Sequence, residues 1–220
     1  MKALVAFVLA IGLLVGCGAA PQPVNPFQKA RAATFALGVE RGDEVVTFCS
    51  AVQIDLNKFL TAAHCTAEDI MAYSPGVVDK DGVVHQFTVV ARNEETDVAL
   101  LTAQVGDPHI VYLAVNAAAL DEAIMIVGYP LNEITHQQVL TTGRAGETRG
   151  DEPFQLAVAN ATFGNSGGPV FVVRNGIVMV VGIMSQTTII SFYGFPNQHQ
   201  YLSWFAPLQS LKDLINAATR

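Results

Sequence analysis

Charge is scarce in this sequence, and so are several of the features that mark common protein classes. Only 14% of its 220 residues are charged, against about 25% of an average soluble domain. The balance is acidic, with 19 Asp and Glu against 12 Lys and Arg and a net charge of −7, and the basic residues form no cluster. A chain of that sign without a Lys/Arg patch lacks the electrostatic footprint of a nucleic-acid binder, so no nucleic-acid partner is expected. His and Cys do not recur at the short spacings of a metal site; His85, His109, His136 and His199 read as surface or satisfied core residues, and no metal is expected. The N-terminal apolar run, Ala3 to Val15, stops short of the ~20 residues that a membrane-spanning helix needs. No internal repeat or low-complexity tract is evident.

What is abundant is apolar and β-branched. Apolar residues make up 51% of the chain, and the many Val, Ile and Thr point to buried sheet. The length suits one domain, or two small subdomains sharing a core. From Thr34 onward, short apolar runs alternate with turn signals: Val45–Val52, Phe59–Ala63, Val83–Val90, Val98–Ala103, Ile110–Val115 and Ile124–Gly128. After a polar stretch, Thr141–Pro153, which reads as an exposed loop, they resume with Gln155–Ala159, Val170–Val173, Ile177–Met184 and Thr187–Phe192. Short strands at that spacing predict an all-β sandwich or barrel. Asn175-Gly176 is the clearest hairpin turn. Asn116–Glu122 divides the strands into two groups. Helical periodicity is confined to Ala67–Met71 and to Trp204–Ala218, where Phe205, Leu208, Leu211, Leu214 and Ile215 form one apolar face.

The N-terminus reads as an export signal over residues 1–16, with Lys2 as a minimal positive region before the apolar run. That run ends in Leu14-Val15-Gly16-Cys17, which resembles the lipobox of bacterial lipoproteins. The resemblance implies that Cys17 is acylated and becomes the first mature residue, with the membrane as a partner. It places the protein in the bacterial cell envelope, lipid-anchored, and Gly18 after the Cys favours the outer membrane or periplasmic face. An ordinary signal peptide cut after a residue such as Ala20 is the alternative. Residues 17–33, with Pro21, Pro23 and Pro26, then read as an extended tether that does not pack. With Cys17 lipidated, Cys49 and Cys65 remain as a natural disulfide pair in an oxidising compartment; two independent buried thiols are expected only in a protein that stays in the cytosol.

Three segments carry chemistry. In Gly164-Asn165-Ser166-Gly167-Gly168-Pro169, glycines flank a serine whose hydroxyl needs an adjacent base to become a nucleophile. They also let the backbone turn so that N–H groups converge on a developing oxyanion. Thr61-Ala62-Ala63-His64-Cys65 supplies a base at the end of an apolar strand. Asp97-Val98-Ala99-Leu100-Leu101 puts a carboxylate at the mouth of another, where it can orient an imidazole.

These blocks, in the order His–Asp–Ser, resemble the signatures of the chymotrypsin/trypsin superfamily of serine proteases, over roughly Thr34 to the C-terminus. The resemblance implies two six-stranded antiparallel β-barrels, divided here as 34–118 and 119–220, with a C-terminal α-helix. It implies a serine endopeptidase without cofactor, acting on protein or peptide substrates through an acyl-enzyme. His64 would be the general base, Asp97 its orienter and Ser166 the nucleophile, with the oxyanion hole at the amides of Gly164 and Ser166. Met184, Ser185 and Thr187 fall on the strand that pairs with substrate, and the base of the primary specificity pocket falls near Asn160.

The sequence departs from the animal digestive members. Asn165 replaces the Asp that pairs with a freed N-terminus, so activation by N-terminal cleavage is not expected. GNSGGP and Gly128-Tyr129-Pro130 are closer to bacterial HtrA-like and glutamyl-endopeptidase-like members, here with no PDZ domain expected after the final helix. Asn160 argues against Lys/Arg preference, Met184 against Glu preference, and Thr187 for a restricted apolar pocket. The Gly-x-Ser-x-Gly pattern also fits the α/β-hydrolase elbow. That fold, however, requires Ser, then acid, then His, and here the only acid after Ser166 is Asp213, beyond His199. A non-catalytic lipoprotein that keeps the double barrel as a binding module is the alternative from another class.

Overall fold

The computed structural model describes residues 25–106, 108–130, 137–148, 150, 153–191 and 199–219. The expected signal segment, Cys17 and the rest of the tether up to residue 24, and His136 lie outside them. The regular structure of the described chain is mainly strand, arranged in two sheets with a helix at each end and short helical segments, Ala63–Thr66 and Glu68–Met71, within the first half. Among these residues no helix is long and apolar enough to cross a membrane.

The first sheet is built from β1 (Thr34–Arg41), β2 (Glu44–Asp55), β3 (Lys58–Thr61), β4 (Gly76–Val78), β5 (Val84–Gln86), β6 (Thr88–Asn93) and β7 (Val98–Thr102), in the order β5-β4-β1-β2-β3-β7-β6. Its edge strands β5 and β6 are successive segments of one chain path, interrupted only at buried Phe87. Counted as one bent strand they bring the sheet to six, curled so that its two edges join through Phe87. No ladder closes it side to side among the described residues.

The second sheet does close. It comprises β8 (Tyr112–Leu113), β9 (Ala123–Gly128), β10 (Val139–Thr148), β11 (Gln155–Val158), β12 (Pro169–Arg174), β13 (Ile177–Ser191) and β14 (His199–Pro207). The ladder runs β12-β9-β10-β11-β14-β13 and returns through β13–β12, a six-stranded barrel with β8 added in parallel to β13. Asn175 and Gly176, both at positive φ, make the expected tight turn between β12 and β13.

Strand periodicity divides the interior in two. On β9, Ile124 and Ile126 face a core inside the closed barrel with Val170, Val172, Val181 and Phe205. Met125 and Val127 face the larger core that runs between the two sheets, with Phe171, Val180 and Ile183. Strands buried on both faces read as unbroken apolar runs rather than as alternating ones. The C-terminal helix, Leu208–Ala218, lays Leu211 and Leu214 on the larger core; burying each stabilises by roughly 1.5–3 kcal/mol. Lys212 donates to Val115 O at 2.7 Å, fastening that helix to the segment that joins β8 to β9.

Three expectations are corrected. Residues 26–32, expected to be extended tether, form a helix: Asn25 accepts the Phe27 amide at 2.9 Å, Pro26 stands where no N–H is needed, and Ala30 is fully buried. Most of the polar loop expected over Thr141–Pro153 is strand β10. Its small residues are required by close packing, since a Cβ on Gly143 would stand 2.3 Å from Val158 O. The C-terminal helix begins at Leu208 rather than Trp204, because Trp204 and Phe205 pair within β14 and Pro207 stands at the helix N-cap.

Candidate active site

The first sheet supplies an imidazole and a carboxylate already bonded to each other. β3 ends at Thr61, and a single 3-10 turn, Ala63–Thr66, carries His64. The next residue, Cys65, is bonded to Cys49 in β2, with a Cα–Cα separation of 6.1 Å. The disulfide expected from the cysteine count is therefore formed, and it staples the His64 turn to its neighbour strand. The two sulfurs and the His64 ring lie within ligating reach of one another, but the sulfurs are joined and offer no thiolates. β7 pairs with β3, Thr61 opposite Ala99, so Asp97 emerges at the same end of the sheet as His64.

Both oxygens of Asp97 engage His64: Oδ2 lies 2.8 Å from Nδ1, and Oδ1 accepts the His64 amide at 2.9 Å. A third bond comes from Ser185, whose hydroxyl donates to Oδ2. Asp97 itself is 8% exposed and has φ 52, a left-handed backbone that a non-glycine residue adopts only under constraint. Burial pushes the Asp97 carboxyl up. The hydrogen bonds from the His64 ring, the Ser185 hydroxyl and the His64 amide together outweigh it, and the carboxyl is held below its ordinary value. An ionised carboxylate on Nδ1 fixes that nitrogen as the N–H and leaves Nε2 as the base.

The closed barrel supplies a backbone turn. Gly164 and Gly167 have φ 92 and 77, and neither could carry a side chain in place. A Cβ on Gly167 would stand 2.1 Å from Thr61 Oγ1 and 2.2 Å from Ser50 O. That close approach presses the serine turn against the strand leading to His64. The amides of Asn165, Gly167 and Gly168 donate to Thr162 O, Met184 O and Asn165 O. Those of Gly164 and Ser166 donate to no acceptor among the described residues. Two unengaged N–H groups, the serine's own and one two residues before it, are what an oxyanion hole requires. The Ser166 hydroxyl makes no hydrogen bond among the described residues, so the Ser166–His64 link is not formed in this structure.

The residues expected on the substrate side are distributed unevenly. Met184 is buried in the barrel core and uses its backbone to hold the turn, accepting from Gly167 and donating to Gly168 O at 2.8 Å. Ser185 is the extra residue of a bulge between Met184 and Gln186, which turns its hydroxyl onto Asp97 and leaves only its backbone for a substrate. Thr187 is part-exposed on β13, and Asn160 is exposed, with no hydrogen bond to the His64–Asp97 pair. Asn165 is buried, its Oδ1 lying 2.5 Å from where a Gly128 Cβ would be. Two contributors were missed in the sequence, Ser50 and Tyr129. The available signal was a hydroxyl in the middle of an apolar strand next to Cys49, and a Gly-Tyr-Pro whose glycine packs on Asn165.

Comparison with known proteins agrees with this geometry. The family model described as "Trypsin-like peptidase domain" matches residues 49–183, more than half of the chain and a span that includes all three chemistry-bearing blocks. Among solved structures, the serine endoprotease from Yersinia pestis superposes with a TM-score of 0.66 at 19% identity, over 88% of this chain and 65% of that one. At that identity the likeness carries the fold: a double barrel of the same kind. This chain thus spans about two thirds of the length of that protease. No curated protein matches the sequence.

Proposed function

Because this chain belongs to the trypsin-like peptidase domain family, we propose that it is a serine endopeptidase working through Ser166, His64 and Asp97. Ser166 Oγ attacks the scissile carbonyl carbon while His64 Nε2 takes the hydroxyl proton. The Gly164 and Ser166 amides receive the oxyanion. Collapse expels the amine, which leaves with the proton from His64. Water, deprotonated by the same imidazole, then releases the acyl group and restores the serine. Asp97 holds the ring in the needed tautomer and stabilises its charged form. The substrate backbone lies along β13 by strand addition, in an edge contact where main-chain bonds give affinity and pockets choose the side chain.

The observation that carries this reading is the 2.8 Å contact between His64 Nδ1 and Asp97 Oδ2 beside a serine turn with two unengaged amides. The open Ser166–His64 distance is compatible with it, since catalytic hydrogen bonds are often long without substrate. A fluorophosphonate probe tests the reading. Wild-type protein is expected to label, Ser166→Ala to lose labelling, and His64→Ala to lose about 10⁴-fold or more in hydrolysis while remaining folded. Well-folded wild-type protein that refuses the probe would instead be the non-catalytic binding module. Export and lipidation at Cys17 complete the proposal. Cys17→Ser should move the protein from the membrane to the soluble fraction, and a variant that stays with the membrane removes the anchor.

A further inference from the structure

Ser50 lies in β2 with no solvent exposure, in a strand where an alanine would serve the packing equally well. A buried hydroxyl is unfavourable unless bonded, and this one is bonded twice. It donates to Gly164 O at 2.8 Å and accepts the Tyr129 amide at 3.0 Å. The Ser50 N–H, in turn, donates to Ser166 O at 2.8 Å.

These contacts fall on alternate peptide planes of the serine turn. Gly164 O belongs to the plane whose N–H, that of Asn165, is bonded to Thr162 O at 3.1 Å. Ser166 O belongs to the plane whose N–H, that of Gly167, is bonded to Met184 O at 2.7 Å. The plane between them carries the Ser166 N–H, one of the two unengaged donors. The other donor, the Gly164 N–H, is joined to the first plane through a glycine at φ 92, the residue type with least resistance to a flip. Ser50 therefore grips the turn on both sides of one donor and immediately after the other.

The back of the turn is closed by Tyr129 and Pro130. A Cβ on Gly164 would stand 2.2 Å from Tyr129 O and 3.0 Å from Pro130 Cα. Tyr129 is in turn tied to the N-terminal helix through Gln138, whose Nε2 donates to Arg31 O at 2.8 Å and Thr34 O at 3.0 Å and lies 3.4 Å from the Tyr129 hydroxyl. The contacts thus run from that helix through Tyr129 and the Ser50 hydroxyl to the Gly164 carbonyl.

We propose that Ser50 is a positioning residue whose hydroxyl sets the oxyanion turn in its donor-out conformation. The proposal rests on the protease reading for its kinetic consequence only; the conformational consequence stands without it.

Ser50→Ala deletes the hydroxyl and keeps the N–H. The expected result is a kcat for a peptide amide about 10- to 100-fold lower, short of the 10²–10³ associated with losing one oxyanion donor outright, with KM little changed. Binding of a peptide boronic acid, which places negative charge in the hole, should weaken in parallel with kcat/KM. In backbone NMR, the Gly164 and Ser166 amides should be single and sharp in wild-type protein and broadened or doubled in the variant. Unchanged kcat with unchanged amide signals overturns the proposal, and so does a loss confined to KM. Should Ser50→Ala fail to fold, Ser50→Gly makes the same deletion, and broadened Gly164 and Ser166 amides in the wild-type protein overturn the proposal alone. A wild-type protein that hydrolyses nothing, but whose turn is ordered and is mobilised by Ser50→Ala, retains the inference and removes the protease reading. Normal turnover in Ser50→Ala, with its Gly164 and Ser166 amides undisturbed, does the reverse.

Discussion

The two halves of the molecule contribute to the cleft in different ways. The first sheet delivers side chains: His64 and Asp97 are bonded to each other twice and stapled by Cys49–Cys65 before any substrate arrives. The closed barrel delivers mostly backbone, a glycine-rich turn with two amides left open and a shape that depends on contacts from across the cleft. Side-chain chemistry is thus held mostly by a disulfide and hydrogen bonds within one half, with Ser185 reaching Asp97 from the other, whereas donor geometry is held by hydrogen bonds and close contacts between halves. Damage to the first half should separate into chemistry and stability, and damage to the second should register as misplacement.

Asp97→Asn is the largest break available inside the first half. Asn tolerates the left-handed backbone, so the substitution removes the charge without adding strain, and kcat should fall about 10⁴-fold through the wrong imidazole tautomer. The same variant sharpens the stability side. Because the Asp97 carboxyl is held below its ordinary value, the unfolded chain binds its proton first as pH falls. Its contribution to stability is therefore present above that value and lost as pH drops through the lower folded one. Urea unfolding should show wild type more stable than Asp97→Asn at neutral pH, with the difference shrinking below about pH 4; a difference that stays constant with pH contradicts the assignment.

Replacing Cys49 and Cys65 together by Ala should cost about 3 kcal/mol from the 16-residue loop. The effect on kcat should be smaller than that of Asp97→Asn, because two hydrogen bonds, one from the ring and one from the backbone amide, still hold His64. Denaturation with and without reductant measures the first and steady-state kinetics the second; equal losses of kcat in both variants would mean that the staple, not the carboxylate, sets the imidazole. Least of all should follow from Glu122→Gln in the other half. Glu122 meets Arg174 through both oxygens at 2.7 and 2.8 Å, and the Arg174 bond holds its carboxyl below the usual range. Both side chains are partly exposed, at 22% and 26%. Such a pair contributes no more than about 1 kcal/mol, less in high salt, and kcat should not move.

The pairing of His64 with Asp97 was legible because two of the motifs put an imidazole and a carboxylate at strand ends. TAAHC, DVALL and GNSGGP declare themselves before any fold is known, and the alternating turns and apolar runs declare sheet. What stayed hidden depended on neighbours distant in sequence. Thr141–Pro153 looked like a loop because its small residues answer to the backbone of β11, which no local pattern reveals. The N-terminal helix was masked by three prolines, although Asn25-Pro26 is itself a helix-start signal. The bond from Ser185 to Asp97 was hidden because strand position does not reveal bulge geometry, and Ser50 was passed over because one hydroxyl in an apolar run says nothing of its acceptor.

The bulge in β13 has an implication for length change in this chain. Met184 and Gln186 oppose Phe205 and Trp204, consecutive residues of β14, with Ser185 supernumerary between them. Excising that single codon would leave an uninterrupted ladder and spare the sheet its kink, while depriving Asp97 of one of its three donors. Regular pairing and an armed carboxylate are competing demands on the same strand, and this sequence has settled the contest in favour of the carboxylate.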